Sequence, residues 1–276
     1  LAAPAPANAD DVYLESMTAE LTAAGKDPRS HLVSALARDQ FILFAQPIRA
    51  LSADAPHPRC YEVLLRMEEE ERAMVPPGGF IPVAERYNMM SEIDRWVVRN
   101  VIKWCLAKQL GDPAWQMPLY CLNLAQASLC EPEFALYVMS EIKRQAFPGE
   151  HLCFEIAEAD ALARRNEIRA FMQALRPLGC RFTLDGFGSS KVSFEPLKHL
   201  QFDILKIDGV IIQNLLKDKT ELARTRAIAS ASRKMGMHTI AEFVEDDATI
   251  DALRGIGVDY VQGFGIGKPG PIALVS

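Results

Sequence analysis

From residue 41 onward, short apolar runs recur along the chain, each closed by a polar residue and most followed by a longer stretch of helical periodicity. The runs are FILFAQP (41–47), CYEVLLR (60–66), PLYCLNL (118–124), HLCFEI (151–156), CRFTLD (180–185), DILKID (203–208), MHTIAE (237–242) and DYVQG (259–263). Between them, Ile93, Val97, Val101 and Trp104 share one face of a predicted helix, with Ser91 as N-cap and Asp94 in the first turn. Ile168, Phe171, Met172 and Leu175 mark a second stripe that stops at Pro177 and Gly179. Eight strands with intervening helices in about 245 residues predict an α/β fold, a (β/α)8 TIM-like barrel. An open doubly wound sheet usually has fewer strands and a glycine-rich first turn, and no GxxxxGK(S/T) run is present.

Residues 1–30 open with Ala and Pro and run through a helical stretch to Gly25, which reads as a linker or N-terminal extension; the folded domain is placed at 31–276. No apolar run reaches the ~18 residues of a membrane span, and the N-terminus lacks the basic start and apolar core of a signal peptide. A cytoplasmic location without membrane contact is expected of this domain. The chain starts at Leu1, so a longer polypeptide is expected whose other parts could anchor it elsewhere. Thirty Lys and Arg against 36 Asp and Glu, with no long basic block, point away from duplex nucleic acid. The six cysteines form no CxxC, and Cys60, Cys121 and Cys153 lie in strand-like runs, as small buried hydrophobes do, so neither disulfides nor structural zinc is expected.

The chemistry lies at the strand ends. Glu62, Asn123, Glu155, Asp185, Lys206, Glu242 and Gln262 stand at or near the ends of successive runs, which converge on one face of a barrel. Taken singly, each has a plain reading: Glu62 as a solvated strand residue, Asn123 as a helix cap, Asp185 as a turn before Gly186, Lys206 as a snorkelling cation. Four carboxylates crowded on one face, however, repel each other by several kcal/mol at low effective dielectric unless cations sit among them. Oxygen-preferring Mg²⁺ or Mn²⁺ fits such a set, and with Lys206 and Glu242 beside it the site has the parts for metal-activated water attacking a phosphodiester.

In these motifs the chain resembles the EAL domain of bacterial cyclic di-GMP phosphodiesterases, over about residues 31–270. FAQPI (44–48) is similar to the family's opening QPI strand, YEVLLR (61–66) to YEALLR and FIPVAE (80–85) to its FIP-AE segment. CLNL holds the expected Asn123, FEIAE (154–158) is similar to FEITE, LKID (205–208) is intact, and IAEFVE (240–245) and QGFGIGKP (262–269) resemble the closing segments. The resemblance implies metal-dependent linearisation of cyclic di-GMP to pGpG in a signalling protein. By matched position it implies metal held by Glu62, Asn123, Glu155 and Asp185, with Lys206 fixing the attacking water. Glu242 would bind metal or assist proton transfer. Gln46, Leu65, Arg66 and Gln262 would touch nucleotide, Glu158 would steady the loop after residues 180–185, and Asp208 would act behind the site. Family members commonly pair through that loop, so a homodimer with residues 187–215 at or beside the interface is expected.

One departure stands out. The family's DDFGTG reads DGFGSS at 185–190, so Gly186 replaces a carboxylate that contributes to the second metal, and Ser190 replaces a glycine. Val63 in place of the signature alanine is milder, because it alternates to the other side of the strand from Glu62. Two readings follow: a phosphodiesterase with weakened turnover, or an inactive cyclic di-GMP receptor that acts through a protein partner. An aldolase using Lys206 as a Schiff-base amine fares worse, since a ring of carboxylates raises the pKa of an amine that must be neutral.

Overall fold

Eight strands close into a ring in the computed structural model, which describes residues 27–52, 55–68, 74–188, 194 and 198–275. They are β1 (Phe41–Ala50), β2 (Arg59–Glu68), β4 (Leu119–Asn123), β5 (Leu152–Ala157), β6 (Arg181–Phe187), β7 (Ile204–Ile207), β8 (His238–Ala241) and β9 (Tyr260–Gln262). Every run expected from the sequence is a strand. The order is β1-β2-β4-β5-β6-β7-β8-β9, and β9 pairs back to β1. Two short strands, β3 (Met74–Val75) and β10 (Gly270–Pro271), attach to β2 and β1.

The barrel departs from a strict (β/α)8 repeat in one respect. β1 runs antiparallel to both of its ring neighbours, whereas the other ring pairs are parallel. The reason is chain length: residues 51–58 are too few for the dozen or more that a parallel crossover needs.

Helices cover the outside. The stripe at Ile168, Phe171, Met172 and Leu175 is buried on the helix Arg165–Leu175, and Phe171 meets Phe154 of β5 and Phe182 of β6 at centroid distances of 5.6 and 6.1 Å. The long helix α3 (Met90–Gly111) follows α1 (Pro28–Ala37) and α2 (Pro77–Arg86), and buries Ile93 and Val101 as expected. Ser91 is not its cap. The helix starts two residues earlier, behind Met89, and the Ser91 hydroxyl donates to Glu131 instead. Asp27 caps α1 by accepting from the Ser30 amide, so described structure begins ahead of the expected boundary at residue 31; the rest of the expected extension, residues 1–26, lies outside the described residues.

Strand periodicity builds the interior in two layers. Cys60, Cys121, Cys153, Ile204, Ile240 and Tyr260 form an apolar floor, and two residues further along each strand stand Glu62, Asn123, Glu155, Lys206, Glu242 and Gln262. Floor and polar layer thus share one inward face, while Val63, Phe154, Leu205 and Val261 point outward into the helix-packed core. All six cysteines are free thiols, and burial pushes Cys105 and Cys153 well above the usual thiol range.

Beneath the floor, the His57 amide donates to the Tyr260 hydroxyl at 3.2 Å, and the buried His57 Nε2 has no hydrogen-bond partner. Burial, with Arg181, His238 and His151 nearby, lowers the His57 pKa to about 4, while Asp203 pulls it the other way. Between pH 6.5 and 4 the unfolded chain therefore binds the proton that folded His57 refuses, so this residue's contribution to stability is intact above about 6.5 and is lost as pH falls toward 4. Urea denaturation at pH 7.5 and 5 should show a smaller stability difference between the two pH values in His57→Gln than in the unaltered chain.

Candidate active site

Lys206 sits at the centre of the polar layer, only 1% exposed. Its Nζ lies 3.0 Å from Glu155, 3.1 Å from Glu242, 3.2 Å from Glu62 and 3.6 Å from Asp185. Burial alone would lower its pKa, but the four carboxylates outweigh burial and hold the ammonium well above its ordinary value. Glu62 behaves in the mirror sense: burial pushes it up, and Lys206 with hydrogen bonds from Gln262 and Asn123 brings it below the usual carboxylate range. Asn123 Nδ2 donates to Glu62 Oε1 at 2.7 Å, and Gln262 Nε2 donates to Glu62 Oε2 at 2.5 Å.

The other two inward glutamates are shifted the opposite way. Burial pushes Glu155 well up, and Glu62 and Asp185 add to it. Burial also raises Glu242, to about 7. The leading cause is shared: burial penalises the charged form of both groups, neighbouring carboxylates add to it, and Lys206 only partly offsets it. Glu155 Oε1 and Asp185 Oδ1 are buried without a hydrogen-bond partner. Glu155 Oε1, with no partner, and Asp185 Oδ1, held only by its 3.6 Å ion pair with Lys206, fit an oxygen-preferring divalent ion. Among the described residues, no three His, Cys, Asp or Glu side chains converge in metal-holding geometry, because Lys206 Nζ fills the middle of the ring. An ion held here would have to share the carboxylates with the ammonium.

Asp185 reaches the ring through an irregularity in β6. The register with β7 shifts between Leu184 and Phe187, and Gly186 in that shift takes φ +67°. A glycine in the left-handed region is the usual device of a bulge that re-aims a neighbouring side chain. A Cβ at Gly186 would meet nothing within 4 Å, so the position is open in space and strained only in its backbone. Ser190 lies outside the described residues.

A cavity of about 390 Å³ opens over the ring, walled by Glu62, Glu242, Gln46, Gln262, Phe243 and Phe264. Phe243 and Phe264 are 57% and 63% exposed. Phe243 holds φ +54°, rare for a bulky residue, and its ring lies where a Cβ on Gly209 would be. Neither phenylalanine was singled out in the sequence, where Phe243 is one letter within IAEFVE; an aromatic in a strand-to-helix loop was the available signal.

The remaining expected residues are spread more widely. Gln46 and Gln262 join the cavity wall. Arg66 shares the strand face of Glu62, but its guanidinium lies over the Phe44 ring at 5.1 Å and donates to the Leu65 carbonyl. Leu65 lines a second cavity of about 330 Å³, into which Asp94 also faces. Asp94 is buried, accepts from Ser128 and the Ala125 amide, and is raised by burial to about 6. Sequence reading gave Asp94 only a helix-turn role. Glu158 Oε2 accepts from the Gly188 amide at 3.2 Å, at the start of the loop after β6. Asp208 caps the short helix α8 (Gly209–Gln213) by accepting from Val210, and so stands outside the ring.

Comparison with known proteins agrees with this geometry. The EAL domain family matches residues 29–269. The chain belongs to the EAL domain family. This EAL domain is 36% identical over 242 residues to a cyclic di-GMP phosphodiesterase, PdeB, of Shewanella oneidensis, covering 88% of this chain and 28% of that protein. It is 32% identical to the cyclic di-GMP phosphodiesterase PdeF of Escherichia coli, covering 88% of this chain and 32% of that one. The chain thus spans about a third of the length of these relatives. Its structure resembles the FimX EAL domain of Pseudomonas aeruginosa solved with bound c-di-GMP, with TM-score 0.81 at 30% identity over 88% of this chain and 96% of that one. Among the described residues of this EAL domain no helix is long and apolar enough to cross a membrane.

Removing the central cation tests the ring directly. Lys206→Met should cost about 3–5 kcal/mol of stability at neutral pH, because it leaves buried carboxylates facing one another. Chemical denaturation measures it, and a loss below about 1 kcal/mol would place the ammonium outside the electrostatic balance.

Proposed function

We propose that this domain binds cyclic di-GMP over the carboxylate ring and hydrolyses one of its phosphodiester bonds to give pGpG at a reduced rate. The observation that carries the reading is the ring itself: four carboxylates around Lys206, with orphaned oxygens on Glu155 and Asp185, beneath a cavity rimmed by two exposed phenylalanines. Relatives described as cyclic di-GMP phosphodiesterases, and a structural neighbour solved with that nucleotide, support the ligand.

Glu62, Asn123, Glu155 and Asp185 would hold Mg²⁺ or Mn²⁺, with Glu242 at its edge. Such an ion, when bound, polarises a phosphoryl oxygen and lowers the pKa of water. The chain's own residues do the rest. Lys206 keeps a fixed positive charge where phosphate oxygens and the attacking oxygen gather, and so stabilises developing negative charge. Glu242, held near 7, accepts or returns a proton at its carboxylate close to neutral pH. Phe243 and Phe264 offer flat faces on which a purine stacks. The second cavity, apolar apart from groups such as Asp94, suits the other guanine, whose edge carries N–H donors toward a carboxylate. Arg66 swings from the Leu65 carbonyl to a phosphate, which its fork matches.

The reduced rate follows from Gly186. With no side-chain ligand there, the second ion of a two-metal site is short of one carboxylate, while nucleotide contacts remain. The same observation favours the second reading, a receptor that signals through a protein partner without turnover. A homodimer belongs to either reading: in the described part of 187–215, Val210 is exposed, and Leu216 lies exposed just beyond it. The expected interface residues 189–193 and 195–197 lie outside the described residues. Light scattering should give a dimer, and a monomer at high concentration would remove that part.

Mixing purified protein with cyclic di-GMP and Mg²⁺ or Mn²⁺, then measuring bound nucleotide and released pGpG, separates the readings. Binding is expected in either case, and its absence with and without metal overturns both. Arg66→Ala should weaken binding by about 1.5–3 kcal/mol, the range for a charged hydrogen bond, and Phe243→Ala by about 1–3 kcal/mol, the range for a stacked base. Gly186→Asp should raise turnover in Mn²⁺ more than it raises affinity, because the added ligand acts in the transition state. An unaltered domain that already turns over at a rate this substitution does not improve would show that the bulge is not what limits catalysis.

A further inference from the structure

Gln46 of β1 pairs directly across from Glu62 of β2, and its buried carboxamide is engaged twice within the protein. Nε2 donates to the Gly267 carbonyl at 3.0 Å, and Oε1 accepts from Gln262 Nε2 at 3.2 Å. A main-chain carbonyl can only accept, so Gly267 decides which end of the Gln46 amide faces it. The oxygen end must then turn toward Gln262, and an oxygen there draws in the amide nitrogen of Gln262. That nitrogen also donates to Glu62 Oε2 at 2.5 Å. Both protons of the Gln262 amide are thereby engaged, and its Oε1 is left buried without a partner on a residue that walls the 390 Å³ cavity.

The segment that supplies Gly267 is seated by close backbone approach. A Cβ on Gly263 or Gly265 would overlap the backbone of Val244 or Glu245, and one on Gly267 would overlap the Pro47 ring. Main-chain bonds from the Gly265 amide to Val244 and from the Gly267 amide to Gly263 complete the seat. This loop carries Phe264 to the cavity rim, with the Lys268 ammonium 5.7 Å from its ring centre.

We infer that Gln46 is a positioning residue that ties the closing loop at Gly267 to Gln262 and Glu62, so that Gln262 presents a bare carbonyl oxygen to the bound molecule and loop seating and Glu62 orientation are one event. The inference deepens the nucleotide reading and rests on it for the ligand. It differs from the expectation that Gln46 touches nucleotide, since both ends of its amide are occupied inside the protein. It also sets a specificity rule: the group opposite Gln262 is a donor or a cation, such as a hydroxyl, an N–H, a water or a divalent ion, and an ionised phosphate oxygen is refused there.

The test uses the whole chain with Gln46→Met, which keeps the length and removes both hydrogen bonds, together with Phe264→Ala and the double variant. Hydrogen exchange without nucleotide should rise about tenfold across residues 263–268, as loss of the hydrogen bond to the Gly267 carbonyl together with the one to Gln262 just before the loop predicts, while β5 and β6 stay protected. Calorimetry with cyclic di-GMP should show affinity about tenfold weaker, and Phe264→Ala should cost much less in the Gln46→Met background than alone. A structural role without coupling would lower the melting temperature and leave the two affinity losses multiplying independently; that result, or unchanged exchange in the loop, overturns the inference. If Gln46→Met does not fold, Gln46→Asn, too short to span both partners, is read in the same way. If the unaltered domain binds no nucleotide, the proposed function falls, and the exchange measurement alone decides whether Gln46 holds the loop.

Discussion

A single buried ammonium among four carboxylates is the constraint on which the rest of the site depends. Lys206 is fully enclosed by the ring, and its four acidic neighbours come from strands β2, β5 and β6 and from the residue just past the end of β8. Without the cation the inner face of the barrel would hold mutually repelling charges in a poorly solvated space; without the carboxylates a buried lysine would lose its proton. The carboxylates hold Lys206 charged and Lys206 helps hold Glu62 ionised, while burial, with the neighbouring carboxylates adding to it, raises Glu155 and Glu242. The excess of carboxylates over the one ammonium explains why a site already holding one cation has oxygens to offer another.

The barrel makes this arrangement sustainable by layering. Apolar residues two positions before the ring residues, from Cys60 to Tyr260, seal the floor, so the charged layer faces only upward. Helices outside bury the alternate residues of the same strands. The parallel strands bring their C-terminal ends to one side, and antiparallel β1 adds Gln46 to that side from the opposite chain direction, next to Glu62 and near Gln262. Reversal of one strand therefore does not exclude it from the site. It lets a residue early in the chain bind a loop more than two hundred residues later.

Backbone conformation does as much here as side-chain identity. Gly186 at φ +67° lets β6 slip register, which aims Asp185 toward Lys206. Phe243 at φ +54° turns its ring onto the bare backbone of Gly209 at the cavity's edge. The glycine takes its conformation freely, whereas the strain at Phe243 persists only where surrounding packing over-determines it; both positions flank the ring.

Much of this was legible along the chain. Short apolar runs closed by a polar residue marked all eight strands, and the polar residues at or near their ends marked the ring, because burial along a strand is a local property of its sequence. The helix stripe at Ile168 to Leu175 was equally local. Other features were not written in any local stretch. The direction of β1, the role of Ser91 toward Glu131 rather than as a cap, and the burial of Asp94 depend on which segments pack together. The protonation of the ring is also a tertiary quantity, since Glu62 falls and Glu155 rises although both are buried glutamates on the inward face of the barrel. Sequence alone determined the eight strands and the set of polar residues that gathers at one end of them, because both follow from the composition of single short runs. Only the folded chain decided how those residues divide the work, because charge state and hydrogen-bond direction depend on distances of a few ångströms between strands that the sequence keeps tens of residues apart.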